Sequence, residues 1–431
     1  VSAQRLGRGG CIERDQPLRF TLDGRAFTGF AGDTLASALL AAGCDIVGRS
    51  FKYHRPRGFL SAGVEEPNGL FTLGEGARTT PNIPGTVTEL HEGLVARCQN
   101  GWPSVRFDLM AGLSLLAPLL GAGFYYKTFM GPRRGSWMAY EPFIRRAAGL
   151  GRAVHAPDPD RYESAYAHTD VLVIGSGPAG LAAARAAAAD GMRVLLAEQD
   201  FLLGGSELAA RADGEGWRRR IEAELAQWEH LDVRTRTTAF GVYDGNTVAL
   251  LQRHPGAPDP QAGRARETVT TVHARAIVYA TGAIERPLVF TGNDLPGVML
   301  ASAARCYLNR YAVRIGTQVV VATASDSAWD CAFELQAAGS RVTVLEERDS
   351  VPAGLRERAQ GAGIAVVTGA SVLSAIGRRR VRGVRYLAGG RAGQLACDAL
   401  CVSGGWSPVV HLTSHTGVKP VHRADIDAFV P

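Results

Sequence analysis

Three glycines at 175, 177 and 180, followed by a carboxylate at Glu198, carry the strongest chemical signal in this 431-residue sequence. In TDVLVIGSGPAGLAAARAAAADGMRVLLAEQ a short apolar run (171–174) enters a glycine turn, then an alanine-rich helix, then a second apolar run (194–197). Continuous apolar runs suit parallel strands buried on both faces. The first glycine makes the tight turn, the second lets the backbone approach a diphosphate, and the third lets helix pack on strand. Free N–H groups and the positive dipole end of the helix then face the diphosphate. Glu198 lies 18 residues past Gly180, where a carboxylate accepts hydrogen bonds from an adenosine ribose. A 2′-phosphate there would meet that charge, which disfavours NADP. The contacts expected here are Gly175, Ser176, Gly177, Pro178, Ala179, Gly180, Glu198 and Gln199.

Two later stretches fit the same site. Gly204, Gly205 and Ser206 follow the second strand, where two-domain flavin reductases approach the diphosphate and ribityl region. AIVYATG (276–282) reads as a strand ending in a Thr281-Gly282 turn. Further on, TQVVVATASDSAWDCAFELQAAGSRVTVLEE repeats the order strand, loop, helix, strand, with Glu346 closing it. Its loop has lost the glycines. Side chains there obstruct a diphosphate and Asp326 repels it, so one dinucleotide site is expected rather than two. That argues against a self-sufficient reductase, which needs both halves. DALCVSGGWSPVVHL is expected to be a strand returning to the first sheet, with Gly404-Gly405 at its end.

These motifs need positioning elements, and the composition supplies them. Hydrophobic residues make up 46% and charged residues 20%, which excludes wholesale disorder. The 52 glycines show no collagen period and imply many tight turns. A net charge of +6 is too small for this length to suggest nucleic acid. The seven cysteines contain no C-x-x-C, so neither a redox dithiol nor a metal site is expected, and they read as reduced thiols of a cytoplasmic protein. The start lacks the apolar core of a secretory leader. Between Asp108 and Lys127 lie 18 uncharged residues, interrupted by Pro118 and three glycines. That is the lower edge of membrane-spanning length, and burial against another domain or subunit is the better reading.

Near the N-terminus, runs 18–22 and 25–28 flank Asp23-Gly24, a hairpin signal. Asp33 or Thr34 can cap a helix with the apolar face Leu35, Ala38, Leu39 and Ala42, ended by Gly43. Small ferredoxin-type [2Fe–2S] domains begin this way and take cluster cysteines from the next loop. Here that loop is VGRSFKYHRPRGFLSAG and holds no cysteine. Its Arg49, Lys52, His54, Arg55 and Arg57 form either a solvated turn or an anion, flavin-phosphate or subunit contact. The expected division is 1–97, a cluster-free ferredoxin-like domain; 98–168, a connector; 169–295, the first dinucleotide-binding part; 296–396, the degenerate second; and 397–431, a return to the first.

Three long runs, SFKYHRPRGFLSAGVEEPN, ATGAIERPLVFTGNDLPGVMLASAARCYLNRY and VSGGWSPVVHL, make the chain resemble the alpha subunits of heterotetrameric sarcosine oxidase. The resemblance implies an α/β fold: a ferredoxin-like domain without its cluster, then a glutathione-reductase-like pair of Rossmann halves with the second degenerate. It implies NAD in this chain, with Gly175, Gly177, Gly180, Glu198, Gly205, Thr281 and Gly282 carried over as contacts. It further implies FAD and the amine site in a beta subunit, FMN at the interface with beta, and gamma and delta subunits as partners. The implied reaction is oxidation of sarcosine to glycine and formaldehyde, with oxygen as acceptor and hydrogen peroxide as product. Such subunits normally continue into a folate-binding domain, so tetrahydrofolate is expected only if a missing C-terminal domain exists. The histidines show no acid–base pattern, and no catalytic residue is expected in this chain. The fingerprint leaves two alternatives open. One is a related N-methylglutamate, proline, opine or cyanide-forming glycine dehydrogenase complex with FAD in the same site. The other is a non-catalytic scaffold stabilised by its nucleotide.

Overall fold

The computed structural model describes residues 4–118, 121, 123, 129–131, 133, 135–210, 214–254 and 265–431. At the N-terminus, Glu13–Leu22 and Arg25–Ala31 form the expected hairpin. Asp23 and Gly24 both take positive φ, as a two-residue turn matched to strand twist requires. The five-stranded sheet runs Arg25–Ala31, Glu13–Leu22, Leu94–Cys98, Leu70–Leu73, Thr80–Pro84. Thr34 caps the helix Leu35–Ala41 in a reciprocal box: Ser37 N–H donates to Thr34 Oγ1, and Thr34 N–H donates to Ser37 Oγ. The helix is buried on every side rather than along one face. Its sequence, LASALLA, has no charged side chain that would need water.

The first nucleotide half holds a six-stranded sheet, in the order Leu231–Arg234, Val194–Ala197, Tyr162–Ile174, Glu267–Tyr279, Thr247–Arg253, Thr237–Tyr243. Its first four strands are parallel and its last three run antiparallel. The central strand starts at Tyr162, inside the stretch read as connector. Its first seven residues pair with Glu267–His273, and their polar, half-exposed sequence lacks the apolar signal of a buried strand.

The second half holds a fully parallel sheet, ordered Val298–Leu300, Ala399–Ser403, Gln318–Thr323, Arg341–Glu346, Ala365–Val367. This corrects one expectation. The strand Ala399–Ser403 belongs to the second sheet, not the first, because an apolar run has no mark of which sheet it joins. The return is made by Trp406–Pro408, which pairs with Ala283–Glu285. Leu412 then packs on the core of the first half.

The cores are divided unevenly. One continuous cluster joins the N-terminal domain (Phe20, Leu35, Leu39, Phe59, Phe71) to the second half (Tyr307, Val321, Trp329, Leu345, Val402). The first half has two smaller cores, one on each face of its sheet. Among the described residues no helix is long and apolar enough to cross a membrane. Of the uncharged stretch, Leu109–Leu116 forms a 3-10 helix with Leu115 84% exposed. Residues 119, 120, 122 and 124–126 of that stretch lie outside the described residues.

Candidate dinucleotide site

At the end of the central strand Gly175 has φ +101, and a Cβ there would lie 2.4 Å from the Ala280 carbonyl oxygen. A Cβ on Gly180 would lie 1.8 Å from the Gly175 carbonyl oxygen, so strand and helix meet only because both positions lack side chains. Gly177 differs from both: a Cβ there meets nothing within 4 Å. Its bareness answers to no neighbour in the chain and leaves the backbone open to a ligand. Gly177 caps the helix Pro178–Ala189, with Pro178 in the first turn where no N–H is needed. Pro178 and Ala179 are exposed at this helix end.

Ser176 and Glu198 lock the turn to the second strand. Ser176 N–H and its hydroxyl both donate to Glu198 Oε2 at 2.7 Å, and Asp200 N–H donates to Oε1 at 2.8 Å. Burial pushes the Glu198 carboxyl up from its ordinary value, against the lowering effect of these donors. Gly204 N–H donates to Ser176 Oγ. Gly205, at φ +52, would place a Cβ 2.9 Å from Gly177 Cα, so the Gly204-Gly205 loop lies directly against the glycine turn. Ser206 is exposed beside it, its carbonyl accepting from Ala209 and Ala210 N–H. Thr281 and Gly282 follow Ala280, whose N–H donates to the Ile174 carbonyl. Thr281 Oγ1 donates to the Val409 carbonyl and ties this turn to the returning C-terminal segment. The sequence-derived residues therefore gather at the carboxyl ends of the parallel strands, where ligands of open α/β sheets bind.

Beyond Glu198, Gln199 is exposed and lines a cavity of about 950 Å³ with Asp200, Phe201, Gly205 and Arg236. Arg310 forks onto Asp200 at 2.6 and 2.8 Å and stacks over the Phe201 ring at 4.9 Å. Burial opposes the Asp200 carboxylate, but Arg310 outweighs it and its pKa lies below the ordinary value. Arg310 comes from the second half, 110 positions away, and no local pattern announces the pair.

The second half presents the same elements with a different occupant. Thr323, Ser325 and Ala328 stand where the three glycines stand in the first. Trp329 is fully buried, and its indole N–H donates to Glu346 Oε2 at 3.0 Å. Arg348 Nε and Nη2 donate to the same carboxylate at 2.8 and 2.9 Å and also pair with Asp326. The acid that could take a ribose is wholly enclosed, whereas Glu198 keeps an edge on the cavity. Sequence reasoning found the missing glycines and overlooked the plug, although an indole immediately after the loop, where the first half has Leu181, was the available signal.

The basic loop is largely turned inward. Arg49 is buried and donates to the Val105 and His54 carbonyls, and Arg55 and Arg57 both pair with Asp294. His54 Nδ1 lies 2.7 Å from Asp108 Oδ2, while its Nε2 is buried with no hydrogen-bond partner among the described residues. Trp102 and Phe107, in the loop that carries Asp108, are more than 60% exposed.

Fold and site together define a protein with two Rossmann-type halves, one with a glycine turn and one whose turn carries side chains. Residues 169–428 match the family described as pyridine nucleotide-disulphide oxidoreductase, and the chain belongs to that family. Residues 15–101 match the 2Fe-2S iron-sulfur cluster binding domain, which bears out the ferredoxin-like N-terminal fold. The resemblance seen in the sequence holds across the chain. It is 47% identical to sarcosine oxidase subunit alpha of Rhizobium meliloti (strain 1021), covering 100% of this chain and 44% of that one. It is 40% identical to sarcosine oxidase subunit alpha of Corynebacterium sp. (strain P-1), covering 97% and 40%. The chain thus spans less than half the length of these relatives. Crystalline L-proline dehydrogenase from P. horikoshii superposes with a TM-score of 0.60 at 17% identity, over 99% of this chain and 67% of that one, a likeness of fold alone.

Neither sulfur chemistry suggested by these family descriptions fits the residues. A [2Fe–2S] cluster takes four ligands, and the stretch 15–101 offers two thiols, Cys44 and Cys98. Burial pushes both up. Within 169–428 the cysteines are Cys306, Cys331, Cys397 and Cys401, none in a disulfide and none in a C-x-x-C pair. Burial holds Cys306 up to about 11 and Cys397 up to about 12.

Proposed function

We propose that this chain serves as an alpha-type subunit of a sarcosine-oxidising complex, and that it binds NAD through Gly175, Ser176, Gly177, Pro178, Ala179, Gly180, Glu198, Gln199, Gly204, Gly205, Ser206, Thr281 and Gly282. The observation that carries the dinucleotide is the contrast at the glycine turn. Gly177 is bare toward open space, while the matching turn of the second half is filled by its own Trp329 and Arg348. Glu198 takes the adenosine ribose, and the N-terminus of Pro178–Ala189 takes the diphosphate. Bound there, the nucleotide contributes its diphosphate and adenosine as a packing element between strand ends. No residue of this chain is assigned a proton transfer.

The complex as a whole oxidises the amine and reduces oxygen to hydrogen peroxide, with FAD and the amine site in a beta subunit and FMN between the two. Similarity to sarcosine oxidase alpha subunits along the full chain supports this reading. So does the corner built from Arg49, His54 and Asp108, in whose loop the rings of Trp102 and Phe107 are exposed. That corner has the apolar body and polar anchor of an interface.

Two measurements test it. Denaturing the purified protein and identifying the released nucleotide by mass spectrometry should give NAD; FAD with no NAD would overturn the assignment. Co-expressed with a flavin-bearing amine oxidase subunit, the chain should support sarcosine-dependent peroxide release. Peroxide release unchanged when the chain is omitted would remove it from the reaction.

A further inference from the structure

Strands Val194–Ala197 and Leu231–Arg234 end side by side, and a nucleotide whose diphosphate lies at Gly177 and whose ribose reaches Glu198 must carry its adenine past both ends. The space it enters is the 950 Å³ cavity, and the far wall is not part of the nucleotide half at all. It is the segment Val87–His91 of the ferredoxin-like domain, with Thr34 beside it.

An ion pair between described residues spans the cleft, beside a hydrogen bond from Arg266 Nη2 to Thr80 Oγ1. Arg236 Nε and Nη2 donate to Glu89 Oε2 and Oε1, each at 2.6 Å, in the bidentate geometry that fixes both planes. Arg236 takes φ +54, a conformation a branchless or amide side chain would adopt more readily. Its backbone N–H donates to the Asp200 carbonyl, and the next N–H, of Thr237, donates to the Glu198 carbonyl. The residue that grips the other domain therefore also holds the strand end that presents Glu198. Its guanidinium lies 5.9 Å from the centre of the Phe201 ring, which lines the same cavity.

We infer that the adenosine half of the dinucleotide binds between the two domains, with Val87–His91 as its outer wall and the Glu89–Arg236 pair as the clasp that sets the width of the slot. This rests on the dinucleotide reading of Gly175–Gly180. It adds residues that no Rossmann fingerprint contains. Glu89 and Arg236 are positioning residues: they set where Glu198 and the wall stand.

The test uses the full protein stripped of nucleotide, with NAD, AMP and nicotinamide mononucleotide as separate probes. Glu89→Gln and Arg236→Ala should each weaken AMP and NAD about tenfold and leave the mononucleotide unchanged, because only the adenosine half meets the cleft. The exchange Glu89→Arg with Arg236→Glu should restore most of the loss. Val87→Trp, which fills the slot from the N-terminal side without touching the ion pair, should also weaken AMP, and it stands in for any clasp variant that fails to fold. Unchanged AMP affinity in Glu89→Gln and Val87→Trp would overturn the inference. Gly177→Asp, run alongside, separates the two levels: NAD binding that survives it removes the dinucleotide reading itself, whereas its loss with intact binding in the clasp variants removes only the clasp.

Discussion

The two nucleotide-type halves of this chain share a plan and differ in what fills it. In the first, backbone occupies the space a side chain would take at Gly175 and Gly180, and a Cβ on Gly177 would meet nothing within 4 Å. In the second, side chains return at Thr323, Ser325 and Ala328, and Trp329 and Arg348 close on Glu346. The carboxylates show the difference most directly. Glu198 accepts from the turn that would hold a diphosphate, and Glu346 accepts from a plug. A Rossmann half can thus keep its strands, helix and acid and still be converted from a site into a core. The lesson is that the acid alone does not mark a ligand.

That contrast can be broken by exchange. The largest effect is expected from Gly180→Ala, which sets a Cβ 1.8 Å from a backbone carbonyl that cannot move aside. It should cost more than about 3 kcal/mol, the upper range for overpacking, and appear as loss of cooperative unfolding of the first half. The reverse change at the matching position, Ala328→Gly, should cost only about 1 kcal/mol by thermal denaturation. Next comes Trp329→Ala, which should cost about 3–5 kcal/mol through the cavity it leaves. It should not create a second nucleotide site, since Arg348 still covers Glu346; two nucleotides per chain in that variant would refute the plug.

Gly177→Asp should leave the unfolding transition in place and weaken the dinucleotide by at least about 100-fold, or about 2.7 kcal/mol. Ser325→Asp should change nucleotide content not at all. Glu198→Gln should weaken binding about tenfold, the scale of one hydrogen bond to a charged group. The pH dependence follows from burial. The Glu198 carboxyl titrates above its ordinary value of 4.5, and the ribose needs the carboxylate, so affinity should fall on acidification from a higher pH than an ordinary glutamate would give. Titrating nucleotide affinity in wild type and Glu198→Gln should show that slope in the first and a flat line in the second. The smallest effect expected is on the thiols. Held up to about 11 and 12, Cys306 and Cys397 should alkylate at pH 8 slower than an ordinary thiol by about 100-fold or more in the native protein, and quickly once it unfolds.

Much of the site was legible because its signals are local. Gly175, Gly177, Gly180 and Glu198 follow one another within a single strand–helix–strand unit, and close backbone packing dictates the glycines at 175 and 180. The missing glycines at 323–328 were legible for the same reason. What stayed hidden depends on distant packing. Nothing around Arg236 points to Glu89, 147 positions earlier, and nothing in DALCVS says that this apolar run joins the second sheet. The strand at Tyr162 was missed because its first residues are polar and half exposed, so the usual sign of a buried strand begins only at Val171. The basic loop misled in another way. Five basic residues between 49 and 57 read as a solvated turn or a ligand or subunit contact, but Arg49 and His54 are drawn into the interior by Asp108 and backbone carbonyls.

The shared core of the N-terminal domain and the second half has a consequence for how the protein is made. Val298, the first strand residue of that half, follows Cys98, the last of the N-terminal sheet, by 200 residues. At about 5–20 residues per second a ribosome needs about 10–40 s to cross that distance. For that time the N-terminal sheet and the helix Leu35–Ala41 have emerged while the apolar surface that completes their core is still unsynthesised. The nascent chain therefore carries an uncovered hydrophobic face through the whole synthesis of the first nucleotide half, a natural point of engagement for chaperones and of loss to aggregation when synthesis stalls.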